Sequence, residues 1–162
     1  MGRRQQHINF EACTKMEFNP QNEYETAGIA LIQNDNHQLR LEYAIEDGQN
    51  VIRLIKCISK SNLDFRTATF NYENIESKLA TKVFSSEVIY LKVTAKGQDY
   101  NFYYGSTPDA MELLAENIDG RILSSDVAGG FVGTYIGLFA SSNGELSDNI
   151  VDFDWFDYEG EA

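Results

Sequence analysis

Between positions 8 and 18 the chain alternates. Ile8, Phe10, Ala12, Thr14, Met16 and Phe18 fall on one side, and Asn9, Glu11, Cys13, Lys15 and Glu17 on the other. Successive side chains of an extended strand point to opposite faces, so this pattern predicts a half-buried strand. Asn19-Pro20-Gln21-Asn22 closes it with turn chemistry. The apolar run over 27–33 predicts a central strand, and Asn34-Asp35-Asn36-His37 turns the chain into another over 38–45. Asp47-Gly48 favours the primed turns that match strand twist, which predicts a hairpin into 51–59. The pattern is weakest over 65–79, where a strand at 66–72 and a loop or brief helix at 74–80 are expected.

Ile89, Leu91, Val93 and Ala95 then alternate with Tyr90, Lys92 and Thr94. A turn at Lys96-Gly97-Gln98-Asp99 leads into Tyr100, Phe102 and Tyr104, giving a second hairpin. A loop over 105–109 precedes a strand or one helical turn at 111–117. The stretch 127–140 holds four of the twelve glycines. Its pair Gly129-Gly130 reads as a sharp turn presenting Phe131, since glycine adopts positive φ without steric cost. Beyond the turn, Gly133, Tyr135, Gly137 and Phe139 share one strand face and Val132, Thr134, Ile136 and Leu138 the other. The last strand, 150–158, sets aromatic residues among acidic ones. Roughly ten short strands at spacings of about 8–15 residues, without an amphipathic helix, predict an all-β fold of sandwich or barrel type.

At 162 residues the chain is read as one domain, 1–162, long enough for a core that needs no metal or disulfide. The net charge of −12 argues against nucleic acid and anionic membranes as partners, and Arg3-Arg4 is too short a basic cluster to reverse that. No window approaches eighteen apolar residues, and the first residues lack the apolar centre of a signal peptide. The compartment stays open: a bacterial cytoplasmic parent and a periplasmic or secreted one both fit. Cys13 and Cys57 are expected as free thiols rather than a disulfide, because cysteine packs as a small hydrophobe.

No catalytic constellation stands out. Glycoside hydrolysis needs two facing carboxyls, and the twenty-five acidic residues are spread along presumed solvent faces. Asp152 and Asp154 lie on one side of the last strand and are the weak candidates for a calcium site, though a solvated polar face is the stronger reading. No cofactor is expected beyond that ion. There is no nucleophile elbow and no phosphate loop. Aromatic rings are the better lead, because sugars stack their apolar faces on them. Tyr90, Tyr103, Tyr104, Phe131, Tyr135 and Trp155 qualify, with core packing the ordinary role for each.

Three stretches carry a resemblance: Gly2-Arg3-Arg4-Gln5-Gln6-His7, Asp126-Val127-Ala128-Gly129-Gly130-Phe131-Val132-Gly133, and Asp152-Phe153-Asp154-Trp155-Phe156-Asp157-Tyr158-Glu159-Gly160. In order and spacing they resemble the C-terminal concanavalin A-like β-sandwich of glycoside hydrolase family 43 β-xylosidases and α-arabinofuranosidases. The resemblance implies a jelly-roll of two antiparallel sheets packed against a catalytic propeller that holds the catalytic carboxylates. It also implies a sandwich loop that places an aromatic ring at the active-site mouth, and Phe131 is the matching residue. The propeller is absent from the 162 residues, so the chain alone is expected not to hydrolyse glycosides. It also begins at the Gly-Arg-Arg motif, whereas the family's sandwich usually has further residues before it. Either the chain is truncated or the early strand is dispensable, and a missing strand would leave an open edge that favours homo-oligomers.

Two roles follow from that resemblance. One is an accessory wall for the propeller, with Phe131 facing substrate. The other is a freestanding carbohydrate-binding module for xylo-oligosaccharides, with Tyr103 and Tyr135 as coplanar rings on one sheet face. An intact small hydrolase ranks last.

Overall fold

The computed structural model describes residues 1–124 and 133–161. Their strands are β1 (Gly2–Arg4), β2 (Asn9–Glu17), β3 (Thr26–Asn34), β4 (His37–Glu46), β5 (Gln49–Asp64), β6 (Thr69–Val83), β7 (Val88–Lys96), β8 (Asp99–Gly105), β9 (Glu112–Asp119), β10 (Tyr135–Ser141) and β11 (Asp152–Glu161). One 3-10 turn, Gly120–Leu123, follows β9. The strands form two antiparallel sheets, ordered β1-β10-β3-β4-β5-β6 and β11-β2-β7-β8-β9. The all-β fold expected from the strand pattern is present, and its two antiparallel sheets are the sandwich that the resemblance implied.

The core lies between the sheets. Met16, Ile89, Leu91 and Phe102 from the five-stranded layer meet Ile29, Leu31, Leu41, Tyr43 and Ile136 from the six-stranded one, all without solvent exposure. These are the inward positions of the alternating patterns, whose burial drives the two layers together. The hairpin at Asp47-Gly48 forms as its chemistry dictates, with φ of 50° and 75° at the two turn residues.

Two expectations are corrected. Residues 69–83 form one long strand, β6, paired along β5, rather than a strand followed by a loop or helix. β6 is a sheet edge, and over 73–83 its described side chains are exposed or half-buried on both faces. No period-two signal survives where neither face is deeply buried, and Lys78 and Lys82 are the charges expected on an exposed edge. Ile8, placed on the buried face of β2, is 71% exposed because it precedes the strand.

In β11 the register slips between Phe153 and Trp155, so Asp154 is the extra residue of a β-bulge. The bulge turns Phe153, Phe156 and Tyr158 toward the core and sends Trp155 outward. The buried Thr14 fixes it by donating a 2.6 Å hydrogen bond to the Trp155 carbonyl.

Candidate functional site at the base of the glycine-rich segment

Phe131 and the Gly129-Gly130 pair lie outside the described residues. The structure does describe the stalk from which that segment departs and to which it returns. On the outgoing side Asp119 caps the 3-10 turn by accepting from the Arg121 backbone N–H at 2.9 Å. Leu123, buried in the core, ends that turn. Gly120 is required there: a β-carbon would sit 2.7 Å from the Tyr100 ring. On the returning side Thr134 donates from Oγ1 to the Leu123 carbonyl at 2.9 Å. Its own carbonyl accepts from the Gln5 backbone N–H at 2.8 Å. The two ends of the segment are thereby tied together and to the N-terminal stretch.

Gln5 is the hub of this base. Its side-chain oxygen accepts from the Tyr100 hydroxyl at 3.1 Å, and its amide donates to the His7 carbonyl at 3.0 Å. Burial raises the Tyr100 pKa, which keeps that hydroxyl protonated and donating. Next to it, the Tyr158 hydroxyl accepts from the Gln6 backbone N–H at 3.3 Å and lies 3.3 Å from His7 Nδ1. The Tyr158 ring stacks on Phe10 and carries the Arg3 guanidinium 4.5 Å above its centroid. Arg4 covers Tyr135 in the same way at 5.5 Å. Gly160 leaves room for His7, since a β-carbon there would collide with the imidazole. Residues 2–7, 133–135 and 158–160, far apart in sequence, therefore meet in one place.

Beside this meeting point lies an open cavity of about 320 Å³, lined among others by Gln5, His7, Gln33, Tyr100, Ser124 and Thr134. Its described lining offers amides, hydroxyls and an imidazole, with no carboxylate or thiol. Such a surface can hold and orient polar groups. It does not present the facing carboxyl pair that glycoside hydrolysis requires.

Tyr103 and Tyr135 are not brought together. Tyr103 projects from the outer face of the five-stranded sheet, 4.8 Å below Lys92 Nζ. Tyr135 projects from the outer face of the six-stranded sheet under Arg4. The sheets are back to back, so these rings cannot form the coplanar platform expected from sequence. Tyr90 and Trp155 share the outer face of the five-stranded sheet with Tyr103; their rings lie 6.3 Å apart but are tilted by 55°.

Asp152 and Asp154 are separated in role by the bulge: Asp154 pairs with Lys15 at 2.6 Å, while Asp152 aligns with Glu17. Among the described residues, no group of three or more His, Cys, Asp or Glu side chains is placed to hold a metal. Cys13 and Cys57 are free and belong to different sheets. Burial, and then the nearby Glu11, push the Cys13 thiol up to about 11.

Gln5, Tyr100, Thr134 and Tyr158 were not singled out individually from sequence. Alternation marks Tyr100 as inward-facing, but nothing local says that its hydroxyl meets residue 5.

Residues 1–159 match the model of a family described as the beta xylosidase C-terminal concanavalin A-like domain. The chain is 32% identical over 158 residues to a non-reducing end alpha-L-arabinofuranosidase, BoGH43B, of Bacteroides ovatus. That alignment takes in 98% of the chain and 27% of the relative. It is also 32% identical over 159 residues to a xylosidase/arabinosidase of Butyrivibrio fibrisolvens, of which it covers 28%. Among solved structures it aligns with a Bacteroides ovatus GH43B from a xyloglucan locus at a TM-score of 0.77 and 29% identity. That match covers 99% of the chain and 29% of the solved one. A GH43 protein of Bacillus licheniformis shares the fold at a TM-score of 0.82 and 24% identity, over 99% of the chain and 29% of that structure. The chain thus spans a little over a quarter of the length of these relatives.

Proposed function

Since the chain belongs to the family of β-xylosidase C-terminal concanavalin A-like domains, we propose that it forms an active-site wall in a family 43 enzyme. That enzyme would act on xylose- or arabinose-containing glycans, and the sandwich would brace its catalytic propeller. Catalytic carboxylates belong to the propeller in this reading, and the sandwich alone is inactive. Relatives named as arabinofuranosidase and xylosidase/arabinosidase support the substrate class.

The observation that carries the reading is the tied stalk. Thr134, Leu123 and Gln5 anchor the glycine-rich segment to both the core and the N-terminal stretch. A ring delivered from a base held by packed layers stays within the small tolerances that substrate positioning demands. Phe131 is that ring, presented to the sugar at the mouth of the propeller.

The test is Phe131→Ala in the full-length enzyme, with arabinofuranoside and xyloside substrates. Losing a buried aromatic contact of about 1.5–3 kcal/mol lowers kcat/KM roughly 10- to 100-fold. The melting temperature stays put, and Phe131→Trp retains most of the activity. Unchanged kinetics in Phe131→Ala would remove the residue from the site.

A further inference from the structure

The outer face of the six-stranded sheet carries a second groove that shares no lining residue with the cavity at the stalk. It measures about 440 Å³, within the roughly 300–1,000 Å³ usual for small-molecule sites. Its floor is built from neighbouring strands: Arg40 and Glu42 on β4, Arg53 and Ile55 on β5, Glu76 and Lys78 on β6. Glu42 is only 1% exposed, yet its carboxylate lies between two guanidiniums, 2.8 Å from Arg53 Nε and 3.4 Å from Arg40 Nε. Arg53 reaches on to Glu46 at 2.8 Å and Arg40 to Glu76 at 2.9 Å. Lys78 meets the other Glu46 oxygen at 3.0 Å. At the rim stands Tyr24, 44% exposed, its carbonyl accepting from Asn143 Nδ2 at 2.6 Å.

Burying a carboxylate between two guanidiniums costs more desolvation than an apolar sheet face would, so stability alone does not favour this arrangement. What it yields is a rigid set of donors and acceptors in fixed planes beside an exposed ring. The charges balance: Arg40, Arg53 and Lys78 against Glu42, Glu46 and Glu76, with Glu23 adding one negative charge at the mouth. An anion is therefore repelled by the acidic excess, and a cation meets guanidiniums. A neutral polyol satisfies both halves, because each hydroxyl donates and accepts, and its apolar ring face stacks on tyrosine.

We propose that this groove binds a neutral oligosaccharide, with Tyr24 as the stacking ring and Arg40, Arg53 and Glu46 as the hydroxyl-directed groups. The site lies on a different surface from the loop stalk and does not depend on the accessory-wall reading.

The experiment titrates the chain calorimetrically with xylohexaose, cellohexaose and, as an anionic control, tri-galacturonic acid. Amide shifts are followed for the same ligands. A neutral hexasaccharide is expected to bind saturably, with shifts confined to residues near Tyr24, Arg40, Arg53, Lys78 and Asn143. Tyr24→Ala should weaken that binding at least about tenfold at an unchanged melting temperature. Arg53→Lys, which keeps the charge but loses the planar fork, should weaken it as well. No saturable binding of either neutral sugar overturns the proposal. So do tighter binding of the uronic acid, shifts centred on the loop stalk, or full affinity in Tyr24→Ala. Unaltered kinetics in Phe131→Ala, by contrast, would leave this groove untouched.

Discussion

The hydroxyl of Thr134 donates a 2.9 Å hydrogen bond to the carbonyl of Leu123 and ties together the two ends of the glycine-rich segment. Thr134→Val keeps the shape and leaves a buried carbonyl without its donor. The expected cost is about 1–3 kcal/mol, or a melting temperature lower by roughly 2–4 °C per kcal/mol for a chain of this size. On the proposed reading of the chain as an active-site wall, the same variant in the propeller-bearing enzyme should lower kcat/KM in the direction of Phe131→Ala. A melting curve that superimposes on the parent would show that the stalk is held by other contacts.

Gly160 and His7 occupy each other's space, so their substitutions should be strongly coupled. A methyl at residue 160 meets the imidazole and displaces it from Tyr158. Gly160→Ala is expected to destabilise by about 1–3 kcal/mol. In a His7→Ala background most of that penalty should vanish. Urea unfolding of the four proteins in the cycle gives the coupling directly, and additive effects would refute the contact.

Glu25 joins two loops at the other end of the sandwich. Its carboxylate accepts from the Gln21 backbone N–H, Ser147 Oγ and Asn149 Nδ2, each at 2.7 Å. The Gln21 bond, then that of Ser147, holds its pKa below the usual value. A lowered folded-state pKa gives stability that is complete above the unfolded value of about 4.3 and is lost as pH falls through the folded one. Glu25→Gln should thus trail the parent at pH 7, with the gap closing below about pH 4. Urea midpoints across that range check it, and a gap independent of pH would assign the loss to shape rather than charge.

Tyr104 behaves in the opposite sense. It is buried, and its hydroxyl donates to Glu112 Oε2 at 2.8 Å. Burial, with Glu112 beside it, pushes the phenol up to about 12. Its contribution is therefore complete below the ordinary tyrosine value of about 10 and fades as pH rises toward the folded one. Ultraviolet titration should show a late-ionising fraction, which includes Tyr100, and Tyr104→Phe should remove one tyrosine from it. A Tyr104→Phe titration identical to the parent in that range would contradict the assignment.

Much of the secondary structure was legible because a strand's period of two is a local property. The buried faces of β2, β7 and β8 and the turn at Asp47-Gly48 follow from residues a few positions apart. So does the all-β class, and the resemblance of three short stretches to a known family of sandwiches holds. The pairing of Glu42 with Arg53 was also within reach, by counting outward from that turn. Local pattern fails where its cause is not local. β6 shows no alternation because it is an edge with no deeply buried face over 73–83. The bulge at Asp154 breaks the alternation of β11 because Thr14, on another strand, captures the Trp155 carbonyl.

The sequence by itself therefore determined most of the strands, most of their inward faces and the family. The tertiary structure alone decided which faces meet. Tyr103 and Tyr135 look equivalent in sequence, yet sheet order puts them on opposite sides of the sandwich. Residues 2–7, 133–135 and 158–160 converge because β10 lies between β1 and β3 while β11 returns to β2. Such pairings join residues more than a hundred positions apart, and their register is set by burial of the whole core, which no local window contains.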